Sequence, residues 1–96
     1  MSASSENEVV HAVAHVSGLV QGVGYRWWTR YRAGERGVHG SAVNLADSRV
    51  EVHLEGDRTA VEALLVELGR GPGTARVSGV DVSWQPPSGL TGFDIG

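Results

Sequence analysis

Neither cysteine nor lysine occurs among the 96 residues. Without cysteine the chain has no disulfide, no thiolate metal ligand and no thiol nucleophile, a composition that suits a reducing compartment. Without lysine there is no Schiff-base chemistry, nor the phosphate-gripping lysine of a P-loop. All eight cations are arginines, set against eleven Asp and Glu for a formal net charge of −3. Such a balance argues against a nucleic-acid partner, whose phosphates call for a basic surface. No apolar run approaches the ~20 residues of a membrane span. Met1 to Glu8 is small and polar, with neither the basic nor the apolar region of a signal peptide. We therefore expect residues 1 to 8 to be a disordered arm and residues 9 to 96 to form one small domain of a cytoplasmic monomer, without nucleic-acid or membrane partners.

Hydrophobic periodicity outlines the elements. Val9 to Ser17 alternates, with Val10, Ala12, Ala14 and Val16 on one side and His11, Val13, His15 and Ser17 on the other, which is the period of a strand. Tyr25 to Arg36 lacks proline and closes at Gly37, as a helix does. Two buried stripes are open to it, Tyr25, Thr29 and Ala33, or Trp28 and Tyr31. Val38 to Leu45 and Arg49 to Glu55 read as strands joined by a turn at Ala46-Asp47-Ser48. Asp57 suits the N-cap of a second helix, in which Val61, Leu64, Leu65 and Leu68 recur at helical spacing until Gly69. Val77 to Trp84 is a further strand, and Phe93 to Ile95 a short edge strand. Strand, helix, strand, strand, helix, strand is the α+β split βαβ order (βαββαβ), a two-layer sandwich of an antiparallel sheet with both helices on one face. Its core would hold Val10, Ala12, Ala14, Val16, Val50, Val52, Leu54, Leu64, Leu65 and Leu68, leaving the other sheet face open to solvent.

Between the first strand and helix stands Gly18-Leu19-Val20-Gln21-Gly22-Val23-Gly24-Tyr25-Arg26. Glycine allows positive φ and close backbone approach, so successive N–H groups can converge on one anion, and a helix N-terminus adds partial positive charge. Arg26 would add a full charge on a planar fork that grips two phosphate oxygens. The same glycines would also serve a plain strand-to-helix bend. Two other phosphate motifs are excluded. No Gly-Lys-Ser/Thr follows, and position 27 is Trp where a dinucleotide fingerprint needs glycine.

Gly18 through Arg26 resembles, position for position, the signature loop of the acylphosphatase family, Gly-x-Val-Gln-Gly-Val-x-Phe/Tyr-Arg. The resemblance continues at the family's spacing through Ala33, Gly37 and Gly40 to Asn44, then Glu51, Gly56 and Gly71-Pro72, and covers roughly residues 9 to 95. It implies a ferredoxin-like fold and a metal-free, cofactor-free hydrolase of small acyl phosphates, with inorganic phosphate as product and competitive inhibitor. The N–H groups of Gln21, Gly22, Val23, Gly24 and Tyr25 would bind the substrate phosphate with Arg26, and Arg26 and Asn44 would be catalytic. Departures stand at Ser41, Ala42 and Val43, where the family reads Trp-Val-Arg/Lys, at Ser48 for a turn glycine, and at Arg36 for leucine.

That chemistry asks little of the chain. An acyl phosphate leaves as a carboxylate, so no strong general acid is needed, and phosphoryl transfer is mostly positioning and charge stabilisation. Asn44 shares the parity of Ala42 and should lean toward the helical layer at its strand's end. A neutral amide can accept from a water and donate to a phosphate oxygen, but it is no general base. From the residues alone Asn44 reads more readily as satisfying backbone near the turn; the resemblance assigns it the attacking water.

The four histidines, at 11, 15, 39 and 53, raise a metal site, but positions four apart on a strand lie ~13 Å apart and no carboxylate sits at ligand spacing. They read as surface positions, and Glu51, His53 and Glu55 as a solvated face. Trp27 and Trp28 beside Arg26, Arg30 and Arg32 read as packing plus solvated charge rather than a base-stacking patch. The alternative to the hydrolase is a non-catalytic anion-binding module with the same cradle, which Arg26 and Asn44 together disfavour.

Overall fold

Alternating β-branched and small side chains at Val10, Ala12, Ala14 and Val16 send one apolar row to one side of a pleated strand, and that row is buried against helices. The structure is a computed structural model that describes residues 8–96. The arm expected over residues 1 to 8 therefore lies, apart from Glu8, outside the described residues. The elements are β1 (Val9–Leu19), α1 (Tyr25–Glu35), β2 (His39–Asn44), β3 (Val50–Asp57), α2 (Arg58–Arg70), β4 (Arg76–Gln85) and β5 (Phe93–Ile95). No helix among the described residues is long and apolar enough to cross a membrane.

The sheet order is β4-β1-β3-β2-β5. β1 pairs antiparallel with β3 and β4, and β3 with β2, giving the split βαβ arrangement. β5 then adds parallel to β2, Gly40 opposite Phe93 and Ala42 opposite Ile95. The antiparallel sheet read from the sequence is thus a mixed one. The chain leaves β4 at one edge and re-enters at the other, and so runs alongside β2 in the same direction.

Between sheet and helices lie Val10, Ala12, Ala14, Val16, Ala42, Val50, Val52 and Leu54 from the strands, Tyr25 and Ala33 from α1, and Val61, Leu64 and Leu68 from α2. Leu65, expected in this core, is partly buried at its margin. In α1 the inward stripe is Tyr25, Thr29 and Ala33, the Thr29 hydroxyl donating to the Tyr25 carbonyl at 2.8 Å. Trp28 packs on its edge against Tyr25, ring centroids 5.4 Å apart, whereas Tyr31 is exposed. Arg36, one of the departures from the family pattern, joins Arg32 in gripping Glu67 of α2, with Nε to carboxylate distances of 2.7 and 2.6 Å. The bond from Arg32, then that from Arg36, holds the Glu67 carboxyl below its ordinary value.

The outer face of the sheet differs from the open surface expected of it. His11, Val13 and Glu55 are buried there, His11 and Glu55 beneath residues 86 to 92, which pass from β4 to β5 over one end of that face. A crossing segment has N–H groups outside any ladder, and these need acceptors. Glu55 supplies them, taking the N–H groups of Ser88, Gly89 and Leu90 at 2.8, 2.7 and 3.1 Å. These bonds, Ser88 foremost, hold its carboxyl below the usual value. His11 Nδ1 lies 3.1 Å from the same carboxylate and its Nε2 2.9 Å from His53 Nδ1. His15 bonds Glu51 at 2.9 Å. Glu55 and His11, read from the sequence as solvated positions, are the centre of a buried polar network. Among the described residues no group of His, Asp and Glu is arranged to hold a metal ion.

Candidate active site

β1, β2 and β5 run in one direction, so their C-terminal ends meet at the same end of the sheet. The loop from Val20 to Gly24 leaves β1 there. Val20 is buried and Val23 packs against the core, which ties the loop to the domain. Gly22 and Gly24 lie at φ 75° and 80°, and a Cβ at either position would meet no atom within 4 Å. The requirement for glycine is therefore conformational, since the left-handed region is costly to side-chain-bearing residues. Positive φ at Gly22 and Gly24, alternating with ordinary φ at Gln21 and Val23, is the backbone pattern from which anion nests are built.

Gly24 is also the N-cap of α1, its carbonyl accepting from the Trp28 N–H at 3.0 Å. As glycine it brings no capping side chain, and the first turn, Tyr25 to Trp28, carries no carboxylate to answer the helix dipole. Gly22 and Gly24 are exposed, and Gln21, Val23 and Arg26 half-buried. Tyr25 contributes backbone alone. Its ring is buried, its hydroxyl donates to the Leu68 carbonyl at 2.7 Å, and burial raises its pKa.

Two side chains stitch the loop to its surroundings. The Thr74 hydroxyl donates to the Val23 carbonyl at 2.7 Å. The Gln21 amide donates to the carbonyls of Leu45 and Arg49, both at 2.9 Å, across the turn between β2 and β3. Asn44 immediately precedes that turn as the last residue of β2, opposite Val50, with its side chain exposed. Arg26, half-buried in the first turn of α1, extends across the end of the sheet to donate to the carbonyl of Gly96, whose own N–H bonds Ala42 of β2 at 3.1 Å. The loop, Arg26 and Asn44 come from three elements and meet at one exposed end of the sheet.

Gln21 was singled out in the sequence for its N–H alone. The reach of its side chain, the Thr74 bond and the Gly96 carbonyl depend on residues 24 to 70 positions away, and no local pattern announces them.

Split βαβ order with both helices on one face of the sheet places the chain in the ferredoxin-like α+β class. Residues 12–95 match the family model described as Acylphosphatase, and the chain belongs to that family. It is 53% identical over 88 residues to an acylphosphatase of Thermobifida fusca, covering 91% of this chain and 97% of that one. With an acylphosphatase of Thermococcus kodakarensis it shares 46% over 86 residues, 90% of this chain and 94% of the other. The crystal structure of acylphosphatase from Bacillus subtilis superposes with a TM-score of 0.87 at 28% identity, covering 91% of this chain and 98% of that one.

Proposed function

We propose that the chain hydrolyses the carboxyl-phosphate bond of small acyl phosphates, releasing a carboxylate and inorganic phosphate. Family membership supports the reaction class, and the mechanism is supported by the position of the glycine loop, Arg26 and Asn44 at the same end of the sheet. The N–H groups of Gln21, Gly22, Val23, Gly24 and Tyr25 hold the phosphoryl oxygens, and the Arg26 guanidinium exchanges its carbonyl partner for two of them. Asn44 positions a water for in-line attack. As the new P–O bond forms, the bond to the acyl oxygen breaks and its electrons leave with the carboxylate, while a phosphoryl oxygen takes the water's proton. Negative charge is met throughout by fixed donors. Inorganic phosphate, presenting the same oxygens, is the product and a competitive inhibitor. The protein acts as a cytoplasmic monomer through the domain spanning residues 9 to 96.

Two substitutions separate binding from chemistry, since a group acting mainly in the transition state lowers kcat while uniform binding shows in KM. Asn44→Ala should cut kcat by on the order of a hundredfold, the scale for losing a positioned polar group, and leave phosphate inhibition near wild type. Arg26→Ala should damage both. Equal loss of phosphate affinity in the two variants would make Asn44 a gripping residue and overturn the assignment of the water to it.

A further inference from the structure

Gln21 spends both amide hydrogens on the β2–β3 turn rather than on the loop it belongs to. Its Nε2 lies 2.9 Å from the Leu45 carbonyl and 2.9 Å from that of Arg49. Each of these carbonyls already closes the turn: Leu45 N–H donates to Arg49 at 2.8 Å and Ser48 N–H to Leu45 at 3.2 Å. A carbonyl oxygen has two lone pairs, and the Gln21 amide takes the second of each. The other side-chain bonds of the turn, donated by the Arg49 N–H and guanidinium to the Asp47 carboxylate at 3.2 and 2.8 Å, are local and do not reach the loop.

We propose that Gln21 is a positioning residue whose amide sets the distance between the phosphate cradle and Asn44. This rests on the role given to Asn44 above. Register with β3 fixes Asn44 along its strand, opposite Val50, but the cradle belongs to a different connection, and the Gln21 amide bridges the two. Asn44 is bonded directly to Leu45, one of the two residues Gln21 holds. At its other end Gln21 sits between buried Val20 and left-handed Gly22, so its origin is also fixed. An error of about 1 Å in such a placement costs on the order of a hundredfold in rate. Two donors on one atom are required. Glutamate would set acceptors against two carbonyls, and methionine, close in shape, would offer none.

The test is Gln21→Met, alone and combined with Asn44→Ala, measured for benzoyl phosphate turnover and phosphate inhibition. Gln21→Met should lower kcat roughly ten- to a hundredfold and leave phosphate inhibition within about threefold, since the cradle donors are backbone groups. In the Asn44→Ala background it should lower kcat by less than about twofold, because the residue it acts through is gone. A full multiplicative loss in that background, or a fall in phosphate affinity in step with kcat, would overturn the proposal. Wild-type kcat in Gln21→Met beside a lost kcat in Asn44→Ala would overturn it alone, whereas wild-type kcat in Asn44→Ala would also remove the reading it rests on. Should Gln21→Met fail to fold, hydrogen exchange of the Gln21 side-chain amide in the wild-type protein decides. Protection well beyond that of a free glutamine amide is expected, and free exchange refutes the bridge.

Discussion

Ser48 holds φ at 76°, and among the described residues it is the one non-glycine at positive φ. The turn imposes this conformation, since Leu45 and Arg49 close around it. A left-handed side-chain-bearing residue costs roughly 1–3 kcal/mol, offset in part by the ~0.5–1 kcal/mol of chain entropy that glycine would forfeit. Ser48→Gly should therefore stabilise the protein by about 0.5–1 kcal/mol, seen as a higher urea midpoint at unchanged slope. A lower midpoint would show that the serine side chain contributes more than its strain takes away. This position was legible as a departure in the sequence, because turn chemistry is local. Gly22 and Gly24 were legible from local chain geometry and Arg26 from its place beside them, whereas Asn44 was reached only through the family resemblance, since its residue type and position alone suit a backbone-satisfying role near the turn. The second function of Gln21 was not legible, because its acceptors lie beyond the next helix.

At the scale of elements, strands and helices follow from periodicity to within about two residues, and β5 was legible despite its length. The cover over the outer face was not. An alternating strand cannot report whether its polar side meets water or a returning loop, and the alternation of Glu51, His53 and Glu55 suits either. The three N–H groups on Glu55 make it the anchor of residues 86 to 92, and that segment delivers β5 to the edge of β2. Its depressed carboxyl carries a pH consequence. A carboxylate whose folded pKa lies below its unfolded value, about 4.3, contributes stability that is fully present above that value and lost as pH falls through the folded pKa. Glu55→Gln should destabilise the protein by about 2 kcal/mol at pH 7, the scale of leaving buried donors unsatisfied. The gap from wild type should narrow as pH falls below about 4. Urea titrations at pH 7 and pH 3 check this, and an undiminished gap would show that the charge on Glu55 is not what secures the segment.

For the whole molecule, the sheet separates two tasks. One end of its outer face is closed by Glu55 and the crossing segment, and the opposite end of the sheet carries the glycine loop, Arg26 and Asn44. All four histidines fall on the outer face by strand parity, away from the helix that follows the loop. Rate should then vary little between about pH 6 and 8, since no protein general base titrates in the mechanism. In the proposed mechanism the charge stabilisation comes from backbone donors and Arg26, so turnover should need no added ion. The most direct test of this account is the steady-state hydrolysis of benzoyl phosphate by the wild-type protein at pH 6, 7 and 8, with and without EDTA and inorganic phosphate. The account predicts turnover that is nearly constant with pH, indifferent to EDTA and competitively inhibited by phosphate. Turnover no faster than the uncatalysed reaction, or activity abolished by EDTA and restored by a divalent ion, would contradict it.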